Sequence, residues 1–151
     1  MSPPSDNLYI RHHGTGDQTV VGIHGWNGSY RTFDPLVPHL AEDASLYAID
    51  LPGYGQSAPP APFTIDAIAG CVAGALDDAG DDPITFVGNC SGAPLSLYTA
   101  DQLDRPVSAI YMLEPFAYVP WYLRLLLTPV VGRFFYWTTF DTRLGRAIAN
   151  T

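Results

Sequence analysis

The sequence predicts an α/β fold in which a mostly parallel sheet is flanked by helices. Two observations predict it. Short apolar runs rich in β-branched residues alternate with segments whose apolar residues recur at helical spacing. Three of those runs also end in glycine-bearing turns, at His24-Gly25, at Asp50-Leu51-Pro52-Gly53 and at Gly88-Asn89-Cys90-Ser91-Gly92. Strands joined by helical segments of this length pair in parallel through right-handed crossovers and are covered on both faces.

The elements follow in order. Leu8-Tyr9-Ile10 reads as a short strand, and Gly14 to Asp17 as a turn. Thr19–Ile23 is strand-like. Residues 30–41 carry Phe33, Leu36, Val37 and Leu40 at helical spacing. Ser45–Ile49 is the next strand, followed by the Pro-rich stretch Ala58 to Pro62. Thr64 is placed to cap a helix over 65–79, which Gly80 would stop. Ile84–Val87 is a strand, Ser91 to about Gln102 a helix, and Val107–Leu113 a strand closed by Glu114-Pro115. Residues 116–151 show no further clear strand. They read as a second region of helical, aromatic, Arg-containing material laid over the sheet's loops, so the expected division is 1–115 and 116–151.

Composition limits the function classes. The chain has 151 residues, 47% of them hydrophobic and 15% charged, enough for one real core. Its net charge of −8 repels a phosphate backbone, so nucleic acid is not an expected partner. Two cysteines, Cys71 and Cys90, cannot form a disulfide framework and read as thiols in a reducing, cytoplasmic compartment. The N-terminus shows no apolar signal segment. Residues 119–137 are long and apolar but are interrupted by Arg124, Pro129, Gly132 and Arg133. A spanning helix wants about 20 apolar residues with few charges. Two short packed helices are therefore expected, with membrane-surface contact the lesser alternative. No metal site is expected: His12 and His13 are adjacent and would point to opposite faces of a strand. Gly53-Tyr54-Gly55 lacks the third glycine of a dinucleotide fingerprint, and no cofactor is called for.

The pentapeptide Gly88-Asn89-Cys90-Ser91-Gly92 has the spacing of a nucleophile elbow, with cysteine at the centre. A sharp strand-to-helix turn exposes the central side chain and leaves room only for small residues two positions away. With His24-Gly25-Trp26-Asn27-Gly28 and Asp50-Leu51-Pro52-Gly53-Tyr54-Gly55-Gln56-Ser57 before it, the order resembles the α/β-hydrolase fold superfamily, in its esterase, epoxide-hydrolase and dehalogenase-like branches. The resemblance covers about residues 7–115, with 116–151 similar to the start of a helical cap. It implies a nucleophile at Cys90, an oxyanion hole from the backbone N–H groups of Trp26 and Ser91, and a loop supported by His24 and Gly25. Glu114, at the end of the strand after the elbow helix, matches one position of the family's triad acid. Its rival reading is a carboxylate that closes the strand. Asp141 is a weaker candidate.

Two departures from the pattern stand out. Thiolate is the reactive form of cysteine, and a helix start favours negative charge, so Cys90 suits activated esters, lactones and thioesters. The competing reading is a structural cysteine at a degenerate elbow. Ser91 is a poorer nucleophile, since centring the turn on it would put Asn89 where a small residue is needed. The four histidines, His12, His13, His24 and His39, all precede Cys90, whereas the family's triad order puts histidine last. The chain therefore reads as a hydrolase-like N-terminal part, lacking the last two strands, whose histidine comes from elsewhere.

The expected function is an ester, lactone or thioester hydrolase or acyltransferase working through acyl-Cys90 on a small-molecule substrate. The missing C-terminal half or a second copy would complete it. The alternative is a non-catalytic, hydrolase-like protein that binds a ligand or partner. Tyr111, Phe116, Tyr118, Trp121, Tyr122 and Trp137 would line an acyl pocket or simply pack, and Phe134, Phe135 and Tyr136 likewise. Asp50 and Ser57 are expected to fix their turn, and Cys71 to be core.

Overall fold

The structure, a computed structural model, describes residues 8–77, 81–115, 124 and 128–137, with the side chains of Phe135 and Tyr136 left out. The chain divides into two compact units, Met1–Ala117 and Tyr118–Thr151. In the first unit five strands form one sheet: Ile10–Gly14 (β1), Gln18–Ile23 (β2), Ala44–Ile49 (β3), Ile84–Asn89 (β4) and Val107–Leu113 (β5). The spatial order is β1-β3-β2-β4-β5, with β1 antiparallel to β3 and the remaining pairs parallel.

Alternation along the central strands sorts their side chains to two faces. Val21, Ile23, Ile49, Ile84 and Phe86 face the first helix, Ile65–Asp77 (α1), and the second, Gly92–Ala100 (α2). There they pack with Ala69, Val72, Leu76 and Leu95. On the other face, Phe33 packs with Leu46, Ala48, Val20 and Val87. Phe33 lies close because residue 22 is glycine: a Cβ there would fall 2.6 Å from its ring.

Three elements differ from their sequence expectation. β1 begins at Ile10 and runs through Arg11, His12 and His13 to Gly14, instead of ending at Ile10. As an edge strand it needs only the hydrogen-bond ladder of β3, and its polar side chains tolerate water. Residues 30–39 form a 3-10 segment, because Pro35 and Pro38 each remove an N–H that an α-helical ladder would use. Residue 29 caps it, its Oγ accepting from the Arg31 N–H at 3.3 Å. α1 starts where Thr64 allows: Thr64 Oγ1 accepts from the Ala67 N–H at 3.3 Å. The proposed stop at Gly80 lies outside the described residues. In the second unit, Pro129–Tyr136 forms a helix (α3) with proline at its first turn. Among the described residues no helix is long and apolar enough to cross a membrane.

Arg105 was not singled out by sequence, yet it is only 7% exposed. Its Nη1 donates to the Leu76 carbonyl at 3.0 Å and its Nε to the Asp82 carbonyl at 2.9 Å, with Nη2 also on Asp82. A cation is favoured there because Leu76 lies in the last turn of α1, where carbonyls go unpaired. Arg105→Met keeps most of the apolar stem but strands those carbonyls. It should lower stability by about 2 kcal/mol in urea unfolding, whereas Arg31→Met, on an exposed position, should change it by under about 0.5 kcal/mol.

Candidate active site

The carboxyl ends of β2, β3, β4 and β5 meet at one edge of the sheet, where chain turns replace strand. β4 turns into α2 through Cys90, whose φ of +53° lies in the left-handed region that L-residues avoid. Its neighbours leave no alternative. A Cβ at Gly88 would sit 2.5 Å from the Ala93 Cα, and one at Gly92 would sit 2.2 Å from the Ile23 carbonyl oxygen. The Cys90 N–H donates to the Leu113 carbonyl of β5 at 2.9 Å, which ties the elbow to the adjacent strand end.

The loop after β2 lies directly against this elbow. A Cβ at Gly25 would be 2.7 Å from the Cys90 Cβ and 3.4 Å from the Ser91 nitrogen. The loop folds back through Asn27, at φ +59°, and the Gly28 N–H donates to the Gly25 carbonyl at 3.0 Å. The side chain of Trp26 is 78% exposed. Among the described residues, neither the Trp26 N–H nor the Ser91 N–H has a hydrogen-bond acceptor. Ser91 opens α2 with helical backbone angles and no side-chain capping bond. The loop carrying Trp26 and the turn carrying Ser91 therefore flank the Cys90 side chain, each with a backbone donor to offer.

His24 is fully buried, and both ring nitrogens are used. Nε2 accepts from the Leu51 N–H at 3.0 Å, so the proton sits on Nδ1, which donates to the Gly25 carbonyl at 2.7 Å. Burial pushes its proton affinity below that of ordinary imidazole, offset in part by the Gly25 hydrogen bond and by the charge of Asp50. The ring braces the Gly25 loop against the turn after β3. Asp50 completes this bracing. Its Oδ1 accepts from the Tyr30 N–H at 2.8 Å and its Oδ2 from the Gln56 N–H at 3.0 Å, while Ser57 Oγ donates to the Asp50 carbonyl at 2.6 Å.

Glu114 follows β5 directly, exposed and with φ +46°. Because Asn89 pairs with Leu113, Glu114 stands beside the elbow at the same edge of the sheet. Tyr111, three residues before Glu114, is exposed. Phe116, Tyr118, Trp121, Tyr122 and Asp141 lie outside the described residues. Cys71 is buried in α1, and burial pushes its thiol up, away from the reactive thiolate. Among the described residues no three His, Cys, Asp or Glu side chains gather to hold a metal ion. The sequence did not reveal the Leu113 carbonyl as an anchor for Cys90. The Asn27-Gly28 pair, a common turn signal, was the available clue to the fold-back after Trp26.

A parallel sheet whose central strand enters a helix through a left-handed residue, with a glycine loop packed against it, defines a nucleophile-elbow protein. Residues 18–147 match the family model of the α/β hydrolase fold, and the chain belongs to that family. It is 34% identical over 110 residues to lipase LipV of Mycobacterium tuberculosis, a match covering 72% of this chain and 42% of that protein. It is 34% identical over 98 residues to a pimeloyl-[acyl-carrier protein] methyl ester esterase of Neisseria meningitidis, covering 65% and 30%. A mutant haloalkane dehalogenase DatA of Agrobacterium tumefaciens superposes with a TM-score of 0.72 at 26% identity, over 91% of this chain and 52% of that one. The chain thus spans under half the length of these two curated relatives.

Two measurements follow from the geometry. Glycine relieves a left-handed φ that alanine does not, so Cys90→Gly should be about 1 kcal/mol more stable than Cys90→Ala in urea unfolding. His24 holds fewer protons folded than unfolded, so its contribution is whole above the unfolded value of about 6.5 and is lost as pH falls below it. His24→Gln should be less stable than the parent at pH 7 by about 1–3 kcal/mol. The stability gap should narrow from pH 7 to pH 5.

Proposed function

We propose that the protein is an acyl-transferring hydrolase that works through a thioester on Cys90, acting on a small-molecule ester, lactone or thioester. The observation that carries this reading is the left-handed turn at Cys90 with the Gly25 loop packed against it. A structural cysteine has no need of a strained backbone, whereas a nucleophile gains exposure from it. The similarity to a lipase and to a methyl ester esterase supports acyl ester chemistry.

The reaction proceeds in two halves. The Cys90 Sγ thiolate attacks the substrate carbonyl carbon, and the electron pair of the C=O moves to oxygen. The N–H groups of Trp26 and Ser91 receive that oxyanion, preorganised by a braced loop and a helix start. Collapse expels the alcohol or thiol, which takes the proton that the Cys90 thiol gave up, and leaves acyl-Cys90. Water, or an acceptor alcohol or thiol, then takes the acyl group and restores the thiol.

His24 is not the proton carrier, because both its nitrogens hold backbone groups. The proposal assigns that role to a histidine outside these 151 residues, oriented by Glu114. No cofactor enters. Both thiols are free, in keeping with a cytoplasmic setting.

An aryl ester whose phenolate departs without a proton needs only the Cys90 thiolate and the oxyanion donors in the first half, so this chain can be tested for it. Mixing with p-nitrophenyl butyrate should release about one equivalent of nitrophenolate per chain and leave a butyryl mass on the Cys90 peptide. Cys90→Ala should lose both. An adduct on Ser91, or a release unchanged in Cys90→Ala, would overturn the assignment, and no adduct at all would favour the non-catalytic alternative. Gly25→Val, which pushes the oxyanion loop off the elbow, should slow acylation by about 10²-fold or more.

A further inference from the structure

The second unit differs in charge from the first. Residues 1–117 hold three arginines against fourteen acidic residues, a net of −11, while residues 118–151 hold four arginines against Asp141 alone, a net of +3, which together give the chain's −8. No acidic residue occurs between Glu114 and Asp141. In this cationic stretch α3 turns an apolar stripe outward. Val130 is 81% exposed, Phe134 65% and Trp137 58%. At 100° per residue these three fall within one narrow arc, with Val131 on one flank and exposed Arg133 on the other. Arg124 is helical and exposed as well.

We propose that α3 is an interfacial helix that seats the 118–151 unit on an anionic phospholipid surface. Valine and aromatic side chains on one arc would enter the boundary between headgroups and acyl chains. Tryptophan at the end of the stripe suits that depth. Arg133, beside the stripe, can keep its stem among the chains while its guanidinium meets phosphate. The cationic unit supplies attraction, while the acidic first unit is repelled by the same surface. The sequence offered membrane-surface contact as the lesser alternative; the exposure of Val130, Phe134 and Trp137 on one arc is what favours it. An eight-residue helix lies along such a surface and does not span it. The proposal does not depend on acylation at Cys90.

The test is flotation of the 151-residue chain with vesicles of phosphatidylcholine alone or with three-tenths phosphatidylglycerol. Binding to the mixed vesicles should exceed that to the neutral ones by tenfold or more, and 1 M NaCl should weaken it, as screening requires. Val130→Asp and Phe134→Asp should each cut binding by tenfold or more. Arg133→Gln should cut it about fivefold on mixed vesicles, roughly the worth of one surface arginine, with little change on neutral ones. Circular dichroism of each variant separates loss of binding from loss of fold, and the conservative Arg133→Gln carries the test where an aspartate variant fails to fold. Absence of flotation, equal flotation on both vesicle types, or variants that float like the parent would overturn the proposal. So would a chain that ignores vesicles but binds polyaspartate, which would put an acidic protein on α3.

Discussion

The left-handed backbone at Cys90 costs an L-residue about 1–2 kcal/mol, and three glycines hold it there. Gly88 lets β4 close on α2, Gly92 lets α2 close on the end of β2, and Gly25 lets the loop after β2 close on Cys90 itself. Each contact would be blocked by one carbon atom. For the turn to relax, α2 would have to leave Ile23 and β4 would have to give up the bond from Cys90 to Leu113. Those elements carry the core built from Ile23, Phe86 and Leu95, so local strain is opposed by packing over the whole α1/α2 face. The left-handed turn at Cys90, half-buried at the elbow, is thus a consequence of how the centre of the sheet packs.

A second layer of polar groups fixes what lies around the elbow. Buried polar groups are tolerated when every hydrogen-bonding site is used, and here the sites are used in series. Tyr9 donates to Ser57, Ser57 to the carbonyl of Asp50, and the Asp50 carboxylate receives Tyr30 and Gln56. One residue on, Leu51 donates to His24, and His24 to Gly25. The series begins beside edge strand β1 and ends at the loop bearing the Trp26 N–H. A single ring protonation would interrupt it, because His24 Nε2 would then become a donor facing the Leu51 N–H. The lowered proton affinity of His24 keeps that from happening near neutral pH.

The central sheet was legible because its signals are local. β2, β4 and β5 are apolar runs bounded by turn residues, and their ends carry the motifs that place Cys90, Trp26 and Ser91. Legibility failed where hydrogen bonding decided the outcome. Apolar spacing at Phe33, Leu36 and Val37 is the same for an α-helix and a 3-10 segment. Missing N–H groups at Pro35 and Pro38 selected the latter. Arg105 reads as an ordinary surface cation, and only the distant carbonyls of Leu76 and Asp82 give it a buried role. β1 carries no apolar alternation beyond Ile10, since an edge strand is specified by its partner. For the site, geometry added what spacing lacked: the contact of Gly25 with Cys90, and the full use of both His24 nitrogens.

Parallel α/β sheets favour sites at the carboxyl ends of their strands, and that rule separates the two ends of the sheet in the first unit. An open depression lined by Asp17, Gln18, Thr19, Asp82, Thr85 and Ser108 lies at the amino ends of β2, β4 and β5. It presents no strained residue and no nucleophile, and the Gln18 amide is already bonded to Asp43 at 2.7 Å. The carboxyl edge holds Cys90, the two free N–H groups and Glu114. Under the proposed acylation, that edge would have to stabilise negative charge inside a unit of net −11. Distance resolves the conflict. Charges more than about 8–10 Å away through solvent are largely screened at physiological salt, whereas two N–H groups in contact with an oxyanion, backed by a helix start, are not. The three cations of the first unit do not help: Arg11 lies on β1, Arg31 beside Tyr30, and Arg105 at the far end of α1. Under the proposed acylation, backbone donors would be the near positive ends that the described part of this unit offers a developing oxyanion, and the bracing of Gly25 by His24 would then serve the chemistry as well as the fold.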